Sequence, residues 1–166
     1  MNSETYPEYY QSYIERIPEG DPFSLFEIGL KETLKSLVMV SEEKANWAYA
    51  EGKWSIKEVL QHVIDTERIY VYRALSFARG ESNAIQGYDH NAYAAASDTN
   101  RRSLKELLEE LKRLRASTID LFKSFSQEML QAKGNANNLE MTAEQIMYIL
   151  IGHELHHIWV LEQKYL

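Results

Sequence analysis

The sequence predicts an all-α protein, a four-helix bundle with a short N-terminal helix or arm. Two observations carry this. Four segments repeat apolar residues at three and four positions, the period at which one face of a helix is buried, and no stretch shows persuasive strand alternation. Four amphipathic helices can each satisfy an apolar stripe by packing against one another. A length of 166 residues fits one domain, 1–166.

Residues 6–17 read as a short helix or arm that ends at Pro18 and Gly20. Asp21 followed by Pro22 is a cap with proline in the first helical turn, and Phe23, Phe26, Leu30, Leu34, Leu37 and Val38 give the first stripe, to about Ser41. Residues 45–53, with Trp47, Tyr49 and Gly52, read as an ordered connection. Ser55 with Glu58 has capping-box spacing. The second helix then runs from Ile56 through Val59, Leu60, Val63, Tyr70, Val71, Ala74 and Phe77 to about Arg79, where Gly80 stops it,. Residues 81–98 read as a long loop, a type of segment that is often functional. A third helix over 100–125 carries Leu104, Leu107, Leu108, Leu111, Leu114, Leu121 and Phe122, with a solvated charged face opposite,. Residues 131–138 are a turn cluster, and Thr142 with Gln145 opens a fourth helix that runs to the C-terminus,.

Composition narrows function. Eighteen Lys and Arg against 25 Asp and Glu leave a net charge of −7, which disfavours nucleic acid and anionic membrane surfaces as partners. There are no cysteines, so disulfides, thiolate ligands and a cysteine nucleophile are excluded, and any metal site uses nitrogen and oxygen. No window approaches the roughly 18 apolar residues of a membrane span, and residues 1–11 lack the features of a signal peptide. The expected location is the cytoplasm.

The histidines hold the chemistry. His153 and His157 lie about 40° apart around the fourth helix, among Ile146, Leu150, Val160 and Leu161 of its apolar face. Two buried imidazoles side by side cannot fully satisfy one another, nor both become cationic cheaply. A shared cation resolves both problems, whereas the plainer alternative is a pair of core histidines bonded to facing side chains. His156, about 60° from His153, falls at the margin of the stripe. A catalytic metal site uses about three protein ligands plus an open position, so a third ligand must come from elsewhere. His62 at the edge of the second helix's stripe is one candidate, and His90 in the long loop is its competitor. Glu67, in line with that stripe, either orients a histidine or pairs with a buried arginine. Tyr9, Tyr10, Tyr13, Tyr88 and Tyr93 either line a pocket or simply pack,.

His153-Glu154-Leu155-His156-His157 also satisfies the H-E-x-x-H pattern of zinc proteases,. Against that reading, Glu162 is the sole ordinary ligand type after His157, and no obvious strand is available to hold a peptide.

Residues 54–67 (Trp-Ser-Ile-Lys-Glu-Val-Leu-Gln-His-Val-Ile-Asp-Thr-Glu), Arg73, Ala78-Arg79-Gly80, Gly87-Tyr88-Asp89 and Gly152-His153-Glu154-Leu155-His156-His157 together resemble the DinB-like (YfiT-like) metalloenzymes from Asp21 to the C-terminus. The resemblance implies a four-helix bundle with a long crossover connection, often a homodimer, and a divalent metal held by His62, His153 and His157. It implies a small-molecule substrate, with activity of thiol S-transferase or hydrolase type. Relatives of the first type join a low-molecular-weight thiol to an electrophile. Zinc and nickel both suit three imidazoles, and Glu154, with His156 and Glu67, is a candidate proton carrier or orienter of the ligands. The rival function is a non-catalytic metal-binding or ligand-binding dimeric module.

Overall fold

The computed structural model describes residues 2–166. After a 3₁₀ turn at Ser3–Thr5 come α1 (Glu8–Ile14), α2 (Pro22–Leu37), α3 (Glu42–Ala45), α4 (Ile56–Ala78), α5 (His90–Ala96), α6 (Leu104–Lys123) and α7 (Gln127–Gln131). A hairpin of β1 (Lys133–Ala136) and β2 (Leu139–Thr142) leads into α8 (Ala143–Lys164). The four long helices α2, α4, α6 and α8 form the expected bundle.

Each long helix begins where a side chain caps it. The Asp21 carboxylate accepts from the Ser24 amide. Ser55 with Glu58, Ser103 with Glu106 and Thr142 with Gln145 form complete capping boxes. The Ser103 box places the start of the third long helix at Leu104 rather than near residue 100, and residues Thr99–Arg101 form a 3₁₀ turn instead. Because the Ser55 hydroxyl accepts from the Glu58 amide in the first turn of α4, Ser55→Ala is expected to cost about 1 kcal/mol. That corresponds to a fall of roughly 3 °C in Tm, readable by thermal denaturation, and an unchanged Tm would show that the cap contributes nothing.

Going round the bundle the order is α2, α8, α4, α6, so the sequence neighbours α2 and α4 lie across a diagonal, as do α6 and α8. The Tyr165 hydroxyl, just past α8, donates to the Trp54 carbonyl just before α4, which makes that pair antiparallel. Thr33 meets Glu154 and Ser36 meets Glu162, so α2 and α8 run the same way. Glu42 ties Lys57 near the start of α4 to the Leu104 amide at the start of α6, so these two are also parallel. Parallel neighbours need a connection that returns along the bundle, and residues 79–103 make this long crossover.

The crossover is more ordered than a loop. Ile85 is held between hairpin residues, its amide donating to Asn135 O at 2.9 Å and its carbonyl accepting from the Asn137 amide at 2.9 Å. Asp89 then caps the short helix α5 by accepting from the Asn91 and Ala92 amides, and its run of alanines favours helix. The hairpin was also hidden in the sequence. Asn137 and Asn138, with φ of 54° and 61°, form the two-residue turn that matches strand twist. Gly134 is required because a Cβ there would meet the Phe77 ring at 1.9 Å. The first helix stops at Leu37, short of Ser41, with Val38 and Met39 left exposed.

Two apolar clusters fill the bundle. One joins Phe26, Phe77, Phe122, Ile146 and Leu150 with Tyr10 and Ile14 of α1. The other joins Leu37, Ile56, Leu60, Leu107 and Leu111 with Leu161. Buried polar residues Arg115, Glu67, Glu154, Thr33 and His153 accompany these clusters.

Candidate metal centre

Since α4 and α8 are antiparallel neighbours, His62 near the start of α4 faces His153 and His157 in the second half of α8. The Nε2 atom of His153 lies 3.0 Å from Nε2 of His62 and 3.1 Å from Nε2 of His157. One ring nitrogen from each of the three lies within 4.8 Å of the others. His153 is buried, while His62 and His157 retain partial exposure.

Burial, and then the neighbouring His90, lower the pKa of His62 to about 4. Burial first, then the surrounding histidines, push His153 and His157 well below the usual imidazole range. All three are therefore neutral at physiological pH, the state in which imidazole binds metals. Zinc–nitrogen bonds of about 2.0–2.1 Å in a tetrahedron set ligand nitrogens roughly 3.3 Å apart, close to the separations observed. The donor set fits a divalent cation. Nδ1 of His62 faces the Thr66 hydroxyl at 3.5 Å, and that hydroxyl is 2.7 Å from the Tyr88 hydroxyl, so α4 and the crossover together orient the ring, as partners behind metal ligands do.

The other histidines lie outside the triad. His156 packs against Tyr13 with centroids 5.1 Å apart and against Trp159 at 6.3 Å. His90, exposed at the start of α5, has its ring 6.0 Å from Trp54 and 5.9 Å from His62.

A cavity of about 430 Å³ opens onto the triad. Its walls are Tyr9, Tyr10 and Tyr13 of α1, then Trp54, Thr66, Tyr70 and Arg73, then Tyr88, Asp89 and His90 of the crossover, with Asn137 and Ile149. Four of the five tyrosines singled out by sequence thus form a wall, while Tyr93 packs on Tyr88 at 5.0 Å. The N-terminal arm reaches the site because α8 has Gly152 beneath it. A Cβ there would stand 2.4 Å from the Tyr13 carbonyl oxygen.

Glu154 and Glu67 occupy a different place. Arg115, 1% exposed, donates through Nε and Nη2 to the two oxygens of Glu67 at 3.0 and 2.8 Å, and through Nη1 to Glu154 at 2.7 Å and the Phe26 carbonyl at 3.0 Å. The Thr33 hydroxyl lies 2.9 Å from the other Glu154 oxygen. Glu67 therefore takes the arginine-pairing role, and the Glu154 carboxylate lies between α2, α6 and α8, away from the cavity walls. Gly29 admits it, since a Cβ there would be 2.6 Å from Glu154 Oε2. Sequence reasoning passed over Trp54, Thr66, Arg73 and Asn137 as site residues. A signal existed for Arg73, a cation in line with the stripe residues Tyr70 and Phe77 that surround it.

Residues 25–161 match the family model described as the DinB superfamily. The chain belongs to that family. It is 27% identical over 131 residues to a protein of Oceanobacillus iheyensis named "Putative metal-dependent hydrolase", a match covering 78% of this chain and 73% of the relative. Its fold is similar to that of YfiT from Bacillus subtilis, described as a probable metal-dependent hydrolase with an unusual four-helix bundle topology. The TM-score is 0.76 at 17% identity, over 86% of this chain and 82% of the other. Among the described residues no helix is long and apolar enough to cross a membrane.

Proposed function

We propose that this DinB-superfamily protein is a metal-dependent enzyme acting on a small molecule, with His62, His153 and His157 holding a divalent cation, zinc or nickel, through Nε2. The observation that carries the reading is the convergence of three neutral imidazole nitrogens on one wall of an open cavity. A structural metal site is coordinatively closed, whereas a catalytic one keeps a position open toward substrate. When bound, such a cation supplies Lewis acidity that brings a nucleophile, water or a low-molecular-weight thiol, to its reactive form near neutral pH.

The chain's own groups do the positioning. Thr66 and Tyr88 fix the His62 ring, Tyr13 packs edge-on against His153 with centroids 5.6 Å apart, and the tyrosines of α1 with Trp54 wall the substrate off from bulk water. Burial raises the pKa of Tyr13, and raises that of Tyr88 to about 12, so both hydroxyls stay protonated and donate hydrogen bonds to substrate. Glu154 acts at one remove, holding α8 in the rotation that points His153 into the triad. With no cysteine in the chain, a thiol nucleophile comes from outside the protein. The names of the relatives favour water, hence hydrolysis, and the same site also accepts a thiol cosubstrate in an S-transfer reaction.

Elemental analysis of tag-free protein tests the site, wild type beside His62→Ala, His153→Ala and His157→Ala. Close to one metal per chain in wild type and none in each variant is expected, with turnover on a panel of esters, amides and thiol–electrophile pairs lost in parallel. Wild-type protein that neither carries a metal nor takes one up from added zinc or nickel would overturn the reading. Stoichiometric metal with no turnover across the panel would favour the non-catalytic module.

A further inference from the structure

Arg73 is among the largest fully buried side chains, 2% exposed, yet among the described residues it forms no ion pair. Its Nε is buried without a partner, and among the described residues its one hydrogen bond runs from Nη2 to the Gln86 carbonyl at a long 3.4 Å. The guanidinium lies over the Tyr70 ring at 4.7 Å and beside Tyr88 at 6.0 Å. A buried cation normally finds a carboxylate, and Arg115, the other fully buried arginine, has two. The difference is that Arg73 lines the cavity.

Its position relative to the triad is fixed by α4. Arg73 lies eleven residues after His62, which is about 16 Å along the helix and only about 20° around it. The two side chains therefore share a face, and helical side chains lean toward the N-terminus, here toward His62. Between them the cavity offers the Thr66, Tyr70 and Tyr88 hydroxyls. One end of the cavity is thus built for metal chemistry and the other holds an uncompensated positive charge.

We propose that Arg73 is the anion anchor of this cavity and that the substrate is a small molecule carrying one carboxylate, held away from its reacting end. The proposal rests on the metal-enzyme reading for where reaction occurs, but the anchor itself does not depend on the metal. A single guanidinium balances one negative charge, and the Asp89 carboxylate, engaged in capping α5, adds a negative charge to the wall that disfavours a second one on the ligand. A dianionic phosphate calls for more cations than the cavity supplies. The fork of Arg73 matches a carboxylate through two parallel N–H donors, and its tyrosine neighbours accommodate an apolar body.

The test is binding of 3-phenylpropionate against its neutral isostere 3-phenylpropionamide, followed by calorimetry or ligand-observed NMR. Both metal-free and zinc-loaded wild-type protein are used, with Arg73→Met and Arg73→Lys. The carboxylate is expected to bind at least about tenfold more tightly than the amide in both forms of wild type. Arg73→Met should abolish that preference and Arg73→Lys retain part of it. A wild-type protein with no preference overturns the proposal even if neither variant folds, as does a preference that survives Arg73→Met. A preference seen only with zinc present assigns the anion to the metal and also overturns it. Failure of the metal reading itself appears separately, as absence of zinc uptake with the metal-free preference intact.

Discussion

Arg115→Ala is expected to bring the protein to the edge of unfolding. The guanidinium is enclosed by Glu67, Glu154 and the Phe26 carbonyl, and its removal leaves two carboxylates 2% exposed with no cation beside them. Burial alone would press Arg115 toward neutrality, but the charges of Glu154 and Glu67 more than reverse this and raise its pKa, so the group is charged at any accessible pH. Breaking a buried pair by removing one partner costs about 3–5 kcal/mol, and here one removal breaks two. Against a total stability of about 5–15 kcal/mol, the urea midpoint should fall to a small fraction of its wild-type value. Arg115→Lys should recover little, because a point charge cannot serve the bidentate Glu67 geometry and Glu154 together. The triple variant Arg115→Met, Glu67→Gln, Glu154→Gln should be more stable than Arg115→Ala, since no unpaired charge remains. A single variant within about 1 kcal/mol of wild type in urea titration, several-fold below the pair-breaking cost, would remove the network from the account of the fold.

That network shows what the sequence displayed and what it withheld. Apolar stripes and capping residues are local patterns, so Asp21, Ser55 and Thr142 marked helix starts and the all-α architecture was legible. The pairing of His153 with His157 was legible for the same reason, one helix carrying both. His62 was only a candidate by periodicity, because which residue of α4 faces α8 depends on the packing of two helices distant in sequence. Arg115 drew no notice although it continues the stripe of Leu108, Leu111, Thr118 and Phe122, the same kind of signal as Arg73. The hairpin was invisible since four-residue strands containing Gly134 and Asn135 show no alternation, and what holds them is long-range contact with Phe77 and Ile85. The helix α5 was missed because two turns are too short to display a period. The cavity itself is a tertiary product of α1, α4, α8 and the crossover, and no single segment announces it.

Acidification to pH 5 should destabilise the metal-free and the metal-loaded protein together, by several kcal/mol. Each triad histidine has a folded-state pKa below its unfolded value of about 6.5, with His62 at about 4 and the other two also depressed. Well above pH 6.5 both states are neutral at these groups and stability is flat. Between that pH and the folded pKa the unfolded chain binds protons that the folded chain does not, so stability falls as pH falls. At about 1.4 kcal/mol per unit, each strongly depressed histidine contributes a loss of about 2 kcal/mol between pH 6.5 and 5, and the three act in the same direction. Urea titrations in EDTA at pH 7.5, 6.5, 5.5 and 5 should show this slope, and His153→Gln should make it shallower. Zinc at a thousandfold its dissociation constant adds about 4 kcal/mol at pH 7.5. The gain persists to pH 5, because the folded-state nitrogens are still unprotonated there, and it falls only near and below about pH 4, where protons compete for them,. The two curves should therefore run parallel from pH 7.5 to 5 and converge only in stronger acid. A metal-free stability level from pH 7.5 to 5 would mean the histidines are not held neutral by the fold, and a zinc increment lost already at pH 5 would mean the nitrogens that hold the cation protonate well above about pH 4.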